Sequence, residues 1–239
     1  HPNHARRFIF LAGKGNNGGD AYVAAKYIYK KTKIETVIFS ICPVSELRGD
    51  ALIHFQKIPK EIVCETRNYL NINDFKQGDI IVDGLLGTGF SGEPKEQYRQ
   101  WIKTVNKLEL PIIALDLPSG LNGDTGEAIC SIKADMTVTI GLPKTGLIKL
   151  KGPLLSGIIR CVDIGIPDTF INQTDSKLEM VFSHDARKLI GRIPIDAHKK
   201  NRGKLLVIAG SKLYPGAALL SAKSALRSGC GYVTCAVPE

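Results

Sequence analysis

Short apolar runs rich in β-branched residues recur along the first two thirds of the chain. They occupy residues 8–13, 36–42, 79–87, 111–118, 136–142 and 157–165. Runs of this length, bounded by Gly, Pro and polar residues, are typical of buried strands. Apolar positions at a helical spacing, with a charged outer face, lie between the earlier runs at residues 19–31, 45–58 and 94–108. This alternation predicts an α/β domain built on a doubly wound, mostly parallel sheet.

The pattern changes after residue 167. Residues 168–197 are polar and punctuated by Pro and Gly, which predicts a linker. An apolar run at 203–211, a helix of small residues at 216–229 and a final apolar run at 232–239 follow. One β-α-β unit of this size cannot bury a core of its own. We therefore expect a first domain at 1–167 and the truncated start of a second α/β domain at 198–239.

Composition limits the class of protein without choosing a function. A chain of 239 residues with 44% hydrophobic content can form one large domain plus part of another. The formal net charge of +9 suits phosphorylated ligands, nucleic acid or simple solubility. The six cysteines include no C-x-x-C pair, so we expect buried thiols in a reducing compartment and no zinc site. No stretch reaches the roughly 18 apolar residues of a membrane span, so we expect a cytoplasmic protein without membrane contact.

Candidate chemistry lies just after three of the predicted strands. The first is followed by Gly13, Gly15 and Gly18 in a G-x-G-x-x-G pattern, the third contains Asp83 near its end, and the fourth is followed by Ser119. Ligands of open parallel sheets bind beyond the carboxyl ends of the strands, where glycines let the backbone approach closely. Taken with the alternating strands, the glycine pattern predicts a Rossmann-like fold.

Asn17, Asp83 and Ser119 bring an amide oxygen, a carboxylate and a hydroxyl to these neighbouring strand ends. All three are hard oxygen donors, which suit K⁺, Na⁺ or Mg²⁺ rather than zinc or copper. The residues alone leave the identity of the cation open. Asp and Asn beside Gly are also common in turns, so the alternative interpretation is that each such residue forms a turn and binds no ligand.

An ordinary dinucleotide-dependent dehydrogenase fits this sequence poorly. That class needs an acidic residue at the end of the second strand to hold the adenosine ribose. Here the second run ends at Cys42 and is followed by Ser45, neither of which is acidic. The nearest preceding acid, Glu35, comes before the strand. No G-K-[ST] follows the glycines, so a Walker A loop is excluded as well. The glycines are predicted to hold phosphate at the helix N-terminus in a different pose.

Three segments, "GKGNNGGDAYVAA", "VDGLLGTGFSGEP" and "ALDLPSGLNGDTGE", resemble the N-terminal domain of the NAD(P)H-hydrate repair enzymes, the NAD(P)HX epimerases. Residues 198–239 resemble the opening of the ADP- or ATP-dependent NAD(P)H-hydrate dehydratase, a ribokinase-like domain that follows the epimerase in bifunctional members. The resemblance covers essentially the whole chain. It implies a small-molecule substrate, the cofactor hydrated at C6 of its nicotinamide ring, whose R and S forms the first domain interconverts and whose S form the complete second domain dehydrates.

The resemblance also implies the residues of the site. Asp116 is expected as the catalytic acid/base group, although an aspartate at such a turn can have a purely capping role. K⁺ is expected on Asn17, Asp83 and Ser119, and the complete dehydratase is expected to use ADP or ATP with Mg²⁺. Substrate binding is expected at Asn16, Asn17, Gly18, Gly19, Asp20, Gly87, Thr88, Gly89, Phe90, Ser91, Gly92, Glu93, Asp116 and Ala217.

Some positions depart from the family. Lys14 stands where a small residue or proline is common, Ala21 stands where glycine is common, and the helices that precede the first strand are absent from this sequence. The alternative function is a non-catalytic scaffold of the same fold that binds a nucleotide, RNA or protein. The cation-binding oxygens argue against that scaffold, and we expect no nucleic-acid partner. A homo-oligomer is left open.

Overall fold

A computed structural model describes residues 6–171, 173, 181, 183–189, 191 and 193–238. The chain divides into two compact units, residues 1–179 and 180–239. The boundary falls within the predicted linker at 168–197, which contains two short helices among its described residues. Each unit is described separately.

The first unit is a seven-stranded sheet with helices between its strands. Its strands are β1 (Arg7–Ala12), β2 (Glu35–Ser40), β3 (Val63–Thr66), β4 (Asp79–Gly84), β5 (Ile112–Leu115), β6 (Met136–Ile140) and β7 (Ile158–Val162). Its helices are α1 (Asn16–Thr32), α2 (Gly49–Gln56), α3 (Glu96–Val105), α4 (Gly152–Leu155) and α5 (Asp168–Ile171). Single 3₁₀ turns occur at Val44–Glu46, Ile72–Asp74 and Thr145–Leu147.

All neighbouring strands of this sheet run parallel, in the order β3-β2-β1-β4-β5-β6-β7. The predicted Rossmann-like, doubly wound fold is therefore confirmed. The chain first moves outward from β1 to β3 and then returns to place β4 on the other side of β1. This reversal makes the gap beyond the carboxyl ends of β1 and β4 the topological switch point, where sheets of this kind bind ligands.

The strands form because their side chains are buried on both faces of the sheet. From Ile9 to Ala12 every residue of β1 is fully buried, and α1 packs against β1, β2 and β4. Helix α3 adds the buried side chains of Trp101, Ile102 and Val105 to the core. Continuous apolar runs of this kind are the pattern that a covered parallel sheet requires.

Two glycines allow α1 to lie close to the sheet. A Cβ at Gly18 would lie 1.8 Å from the carbonyl oxygen of Gly13, and one at Gly84 would lie 2.7 Å from the Cβ of Ala21. The absence of a side chain at Gly84 therefore leaves room for the methyl group of Ala21. This contact explains how the helix accommodates alanine at position 21.

The second unit contains α6 (Ser183–Leu189), β8 (Lys204–Ile208), α7 (Gly216–Arg227) and β9 (Tyr232–Ala236). Strands β8 and β9 pair in parallel, as the β-α-β pattern predicts. Much of its apolar surface is exposed, including Leu206 and Ile208 on β8 and Leu220 on α7. That exposure is what a small unit with only two described strands must show.

The structure corrects several details of the sequence prediction. Strand β3 was missed, and the helix expected at 45–58 is a 3₁₀ turn followed by the shorter α2. The expectation of buried cysteines holds only for Cys42, because Cys235 is exposed and the other four are partly exposed; no disulfide links them. Within the described ranges, no helix has both the length and the apolar character needed to cross a membrane.

Candidate active site

A cleft of about 550 Å³ opens at the switch point of the first unit. It is lined by Lys14, Gly15, Asn16, Asn17, Asp20, Leu85, Leu86, Gly87, Thr88, Gly89, Phe90, Tyr98, Asp116, Ile140 and Lys144. These residues come from the ends of β1, β4, β5 and β6 and from the helices that follow β1 and β4. The cleft therefore gathers the three predicted strand-end motifs in one place.

The N-terminus of α1 forms one wall of the cleft. Its N-cap is Gly15, which provides no side-chain cap, and its first turn contains no acidic residue. The amides of this first turn are thus left for a ligand, and the helix dipole favours an anion there. A Cβ at Gly15 would meet no atom within 4 Å, whereas Gly18 is packed tightly against Gly13. Gly15 faces the ligand space, while Gly18 sets the close packing of the turn.

Asn17, Asp83 and Ser119 lie in one hydrogen-bonded cluster around Leu86. The Asn17 amide Nδ2 donates to the Leu86 carbonyl at 2.8 Å, and the Leu86 N–H donates to Ser119 Oγ at 2.8 Å. The Ser119 hydroxyl and N–H donate to the two Asp83 carboxylate oxygens at 2.5 and 2.8 Å. Only Asn17 of the three lines the cleft itself. The structure thus brings the three predicted oxygen donors together, with Asp83 and Ser119 behind the cleft wall.

This cluster contains an unmatched oxygen and a buried carboxylate. Asn17 Oδ1 is buried and accepts no hydrogen bond from any described residue. Burial raises the pKa of Asp83 to about 6, although hydrogen bonds from Ser119 and Leu85 oppose the rise. An acceptor-rich, desolvated cluster of this kind is stabilised by a cation.

We expect the raised pKa of Asp83 to give the first unit a distinctive pH dependence. The folded-state pKa, about 6, exceeds the unfolded value of 3.8, so the folded state binds this proton more tightly. The stability that Asp83 contributes is complete below pH 3.8 and is lost as the pH rises through about 6. Relative to Asp83→Asn, the wild type should lose on the order of 3 kcal/mol across that window.

Urea unfolding in K⁺-free buffer, followed by the fluorescence of Trp101, measures this difference. Trp101 is the only tryptophan in the sequence and is fully buried in the first unit, so its signal reports on that unit. A stability difference between the two proteins that stays constant with pH, or rises with it, would contradict the assignment.

Asp116 follows β5 and is held in an uncommon backbone conformation. Its φ is +64°, in the left-handed region that most non-glycine residues avoid. Its Oδ1 accepts hydrogen bonds from the Ile140 N–H at 3.0 Å and the Thr139 hydroxyl at 3.3 Å, and it forms an ion pair with Lys144. Asp116 therefore joins the ends of β5 and β6 and presents a carboxylate to the cleft. Backbone strain of this kind is concentrated at functional sites.

A second carboxylate, Asp20 on α1, faces the same cleft. Burial raises the pKa of Asp20, the negative charge of Asp116 raises it further, and His54 partly opposes the change. The Asp116 carboxylate is therefore close enough for its charge to act on Asp20. The structure thus pairs the predicted substrate-binding aspartate with the predicted catalytic one.

Not every predicted residue reaches the cleft. Gly87, Thr88, Gly89 and Phe90 line it, but Ser91, Gly92 and Glu93 do not. Glu93 instead pairs with Arg99 of α3 at 2.7 Å, which ties the end of the loop to the helix.

Gly18 and Gly19 are buried behind the cleft wall within α1. Ala217 belongs to the second unit, where it is exposed in the first turn of α7. Gly18 and Gly19 therefore do not line the cleft.

Six cleft residues were not assigned a role from the sequence: Lys14, Leu85, Leu86, Tyr98, Ile140 and Lys144. Ile140 is the last residue of β6, and Lys144 follows that strand. The expectation that ligands bind beyond the carboxyl ends of the strands would have indicated both residues if it had been applied to β6. Tyr98 comes from α3, and no local signal marks it. Burial raises the pKa of Tyr98, and a hydrogen bond that the Lys14 backbone donates to its hydroxyl opposes the rise.

Comparison with known proteins gives two family matches. Residues 2–146 match the family described as YjeF-related protein N-terminus, and residues 205–239 match the family described as NAD(P)H-hydrate dehydratase. The first match covers more than half of the chain.

Three curated relatives align along nearly the whole chain. Proteins named bifunctional NAD(P)H-hydrate repair enzyme Nnr, from Moorella thermoacetica and Dictyoglomus turgidum, are 35% and 36% identical to it. Each alignment covers 98% of this chain but only 45% and 46% of the relative. The bifunctional NAD(P)H-hydrate repair enzyme of Leishmania major is 32% identical over 95% of this chain and 41% of its own length. The chain thus spans about half the length of the curated relatives it matches.

Proposed function

The chain belongs to the YjeF-related N-terminal family, and from that membership we propose that its first unit is an NAD(P)H-hydrate epimerase. The reaction interconverts the R and S forms of a nicotinamide cofactor that is hydrated at C6. The observation that carries the proposal is the cleft at the switch point, which combines an uncapped helix N-terminus with the strained carboxylate of Asp116. The names of the relatives, which are those of NAD(P)H-hydrate repair enzymes, support it.

The N-terminus of α1 suits the diphosphate of the cofactor. Amides of its first turn have no internal acceptor, and Gly15 leaves space for a close approach. Phosphate groups at helix N-termini exploit both the free N–H groups and the helix dipole. Asn16 and the glycine loop at 87–90 line the same cleft and complete the proposed substrate site.

The Asp116 end of the cleft suits the hydrated ring. C6 carries a hydroxyl and is bonded to the ring nitrogen, so loss and return of the hydroxyl through an iminium-like state inverts the carbon. The Asp116 carboxylate stabilises the developing positive charge and takes part in proton transfer. General acid/base assistance of this kind contributes roughly 10²- to 10⁴-fold to rate.

We also propose that K⁺ binds at the Asn17, Asp83 and Ser119 cluster. The residues fit this ion, because among the described residues the buried Asn17 Oδ1 has no hydrogen-bond partner and the buried Asp83 carboxylate forms no ion pair. The donors are all oxygens, as hard monovalent cations prefer. When bound, the cation supplies positive charge that offsets the carboxylate and the phosphates.

We expect KCl to raise the thermal unfolding temperature of the first unit, and tetramethylammonium chloride at equal ionic strength to leave it unchanged. Binding of K⁺ at about 100 times its Kd would stabilise the fold by about 2.7 kcal/mol. Asn17→Ala should abolish the specific effect of K⁺. Asn71→Ala is the matched control, because the Asn71 side chain caps the 3₁₀ turn at Ile72–Asp74, before the amino end of β4, whereas the cluster lies at the carboxyl end of that strand, so the response to K⁺ should not change. Equal stabilisation by both salts would contradict the site.

The direct test is an epimerisation assay with separated hydrate epimers. Purified protein is incubated with S- or R-NADH-hydrate and with the corresponding NADPH form, and the epimers are resolved by chromatography. We expect interconversion well above the rate without protein. Binding of the hydrate with no acceleration would instead indicate a non-catalytic scaffold.

The second unit is proposed to open a dehydratase domain. Its match to the NAD(P)H-hydrate dehydratase family supports this role for residues 205–239. In the complete protein, dehydration of the S-hydrate would use ADP or ATP with Mg²⁺, and Ala217 would lie near the hydrate. We propose that the protein acts on a small molecule in the cytoplasm and that it binds neither nucleic acid nor a membrane.

A further inference from the structure

Lys144 stands out among the cleft residues that no sequence motif assigned. It follows β6, and its side chain is 20% exposed in the cleft wall. Its ammonium pairs with Asp116 Oδ1 and donates to the Ile140 carbonyl at 2.8 Å. An ammonium group has three N–H donors. The two recorded contacts therefore leave one N–H for a molecule in the cleft.

We propose that Lys144 is the catalytic acid of the epimerase, the group that protonates the hydroxyl leaving C6 of the hydrated ring. The inference rests on the proposed function of the cleft and assigns the proton-donating half of its chemistry. Asp116 then takes part in proton transfer through the ammonium that it orients, and it stabilises the positive charge of the ring.

The chemistry requires such an acid. When the C6–O bond breaks, its electron pair goes to oxygen, and the lone pair of the ring nitrogen forms the C=N bond. A proton from Lys144 converts the leaving oxygen into water, so hydroxide is not released. In the return step water adds to the opposite face, the C=N electron pair returns to nitrogen, and the proton that this water releases passes to solvent, from which the Lys144 amine is reprotonated. Atoms, charge and protons balance over the cycle.

The geometry favours Lys144 over its neighbours. Asp116 Oδ1 accepts from three donors, Lys144, Ile140 and Thr139, and this arrangement stabilises an anionic acceptor. The other ammonium in the cleft, Lys14, is exposed and has no recorded ion pair with a carboxylate among the described residues. Lys144 is held by a carboxylate and a carbonyl, which fixes its ammonium in the cleft.

The first experiment measures the rate of epimerisation by Lys144→Ala and the recovery of that rate when a small amine is added. We expect kcat to fall by roughly 10²- to 10⁴-fold, and added methylammonium to restore part of it in a concentration-dependent way. Tetramethylammonium carries the same charge but has no N–H, so it should restore nothing. Lys149→Ala is the matched control and should keep the wild-type rate, because the Lys149 side chain is exposed and forms no hydrogen bond or ion pair with the part of the chain that the structure describes.

Lys144→Arg separates proton donation from charge and protects the test against misfolding. Arginine keeps the positive charge and the ion pair but is not deprotonated in proteins. We expect its kcat to be as low as that of Lys144→Ala, with KM and the unfolding temperature close to wild type.

A Lys144→Arg protein at the wild-type rate, a Lys144→Ala protein near it, or equal rescue by both cations would overturn the proposal. An inactive wild-type protein would instead contradict the epimerase function itself. The two failures are thus distinguishable.

Discussion

Asp116→Asn is expected to lower the kcat of epimerisation by roughly 10²- to 10⁴-fold and to leave the fold intact. The amide has nearly the shape of the carboxylate but carries no negative charge for the ring or for Lys144. Loss of that charge removes stabilisation that increases as the iminium-like state forms. The effect should therefore appear mainly in kcat, measured by chromatography of the hydrate epimers.

Asparagine is the better substitution because of the backbone at this position. With φ at +64°, Asp116 occupies the left-handed region, which asparagine tolerates and alanine does not favour. Asp116→Ala would combine the loss of the carboxylate with backbone strain. Asp124→Asn is the matched control, because Asp124 is exposed and only its backbone forms hydrogen bonds with the described residues. An unchanged kcat in folded Asp116→Asn would remove Asp116 from the chemistry.

Gly18→Ala is expected to destabilise the first unit by about 3 kcal/mol or more, the upper end of overpacking costs. The new Cβ would lie 1.8 Å from the Gly13 carbonyl oxygen, a backbone atom that cannot move aside as a flexible side chain can. The start of α1 must then shift away from the end of β1. Urea unfolding followed by Trp101 fluorescence measures the loss, and the same shift should displace the anion-binding amides.

Gly15→Ala provides the contrast within the same motif. A Cβ there would meet no atom within 4 Å, and the backbone φ of −93° is open to any residue. We expect its free energy of unfolding to stay within about 0.5 kcal/mol of wild type, and any effect to appear in substrate binding. Equal destabilisation by both substitutions would show that the glycines are not distinguished by packing.

The sequence alone was sufficient to predict the parallel sheet of the first unit. Buried strands must be continuously apolar and the helices that cover them apolar on one side, so the alternation is visible without coordinates. Strand β3 was missed because it lies at the sheet edge, where Val63 and Thr66 are exposed and no apolar run is required.

The predicted family resemblance is confirmed by the matches to both family descriptions. The motifs after β1, β4 and β5 could be assigned because each follows directly from the end of a strand. The roles proposed for Asn17, Asp83, Ser119 and Asp116 remain predictions.

Tertiary structure alone decided how these residues meet. The register of β5 and β6 and the left-handed turn at Asp116 bring Lys144 to the carboxylate, although the two residues are 28 positions apart. The path of the loop after Phe90 leaves Ser91, Gly92 and Glu93 outside the cleft, where Glu93 pairs with Arg99. Hydrophobic periodicity is a local property, since burial fixes it residue by residue. The contacts of the cleft depend on the order of strands and on the path of each turn, which only the folded chain specifies.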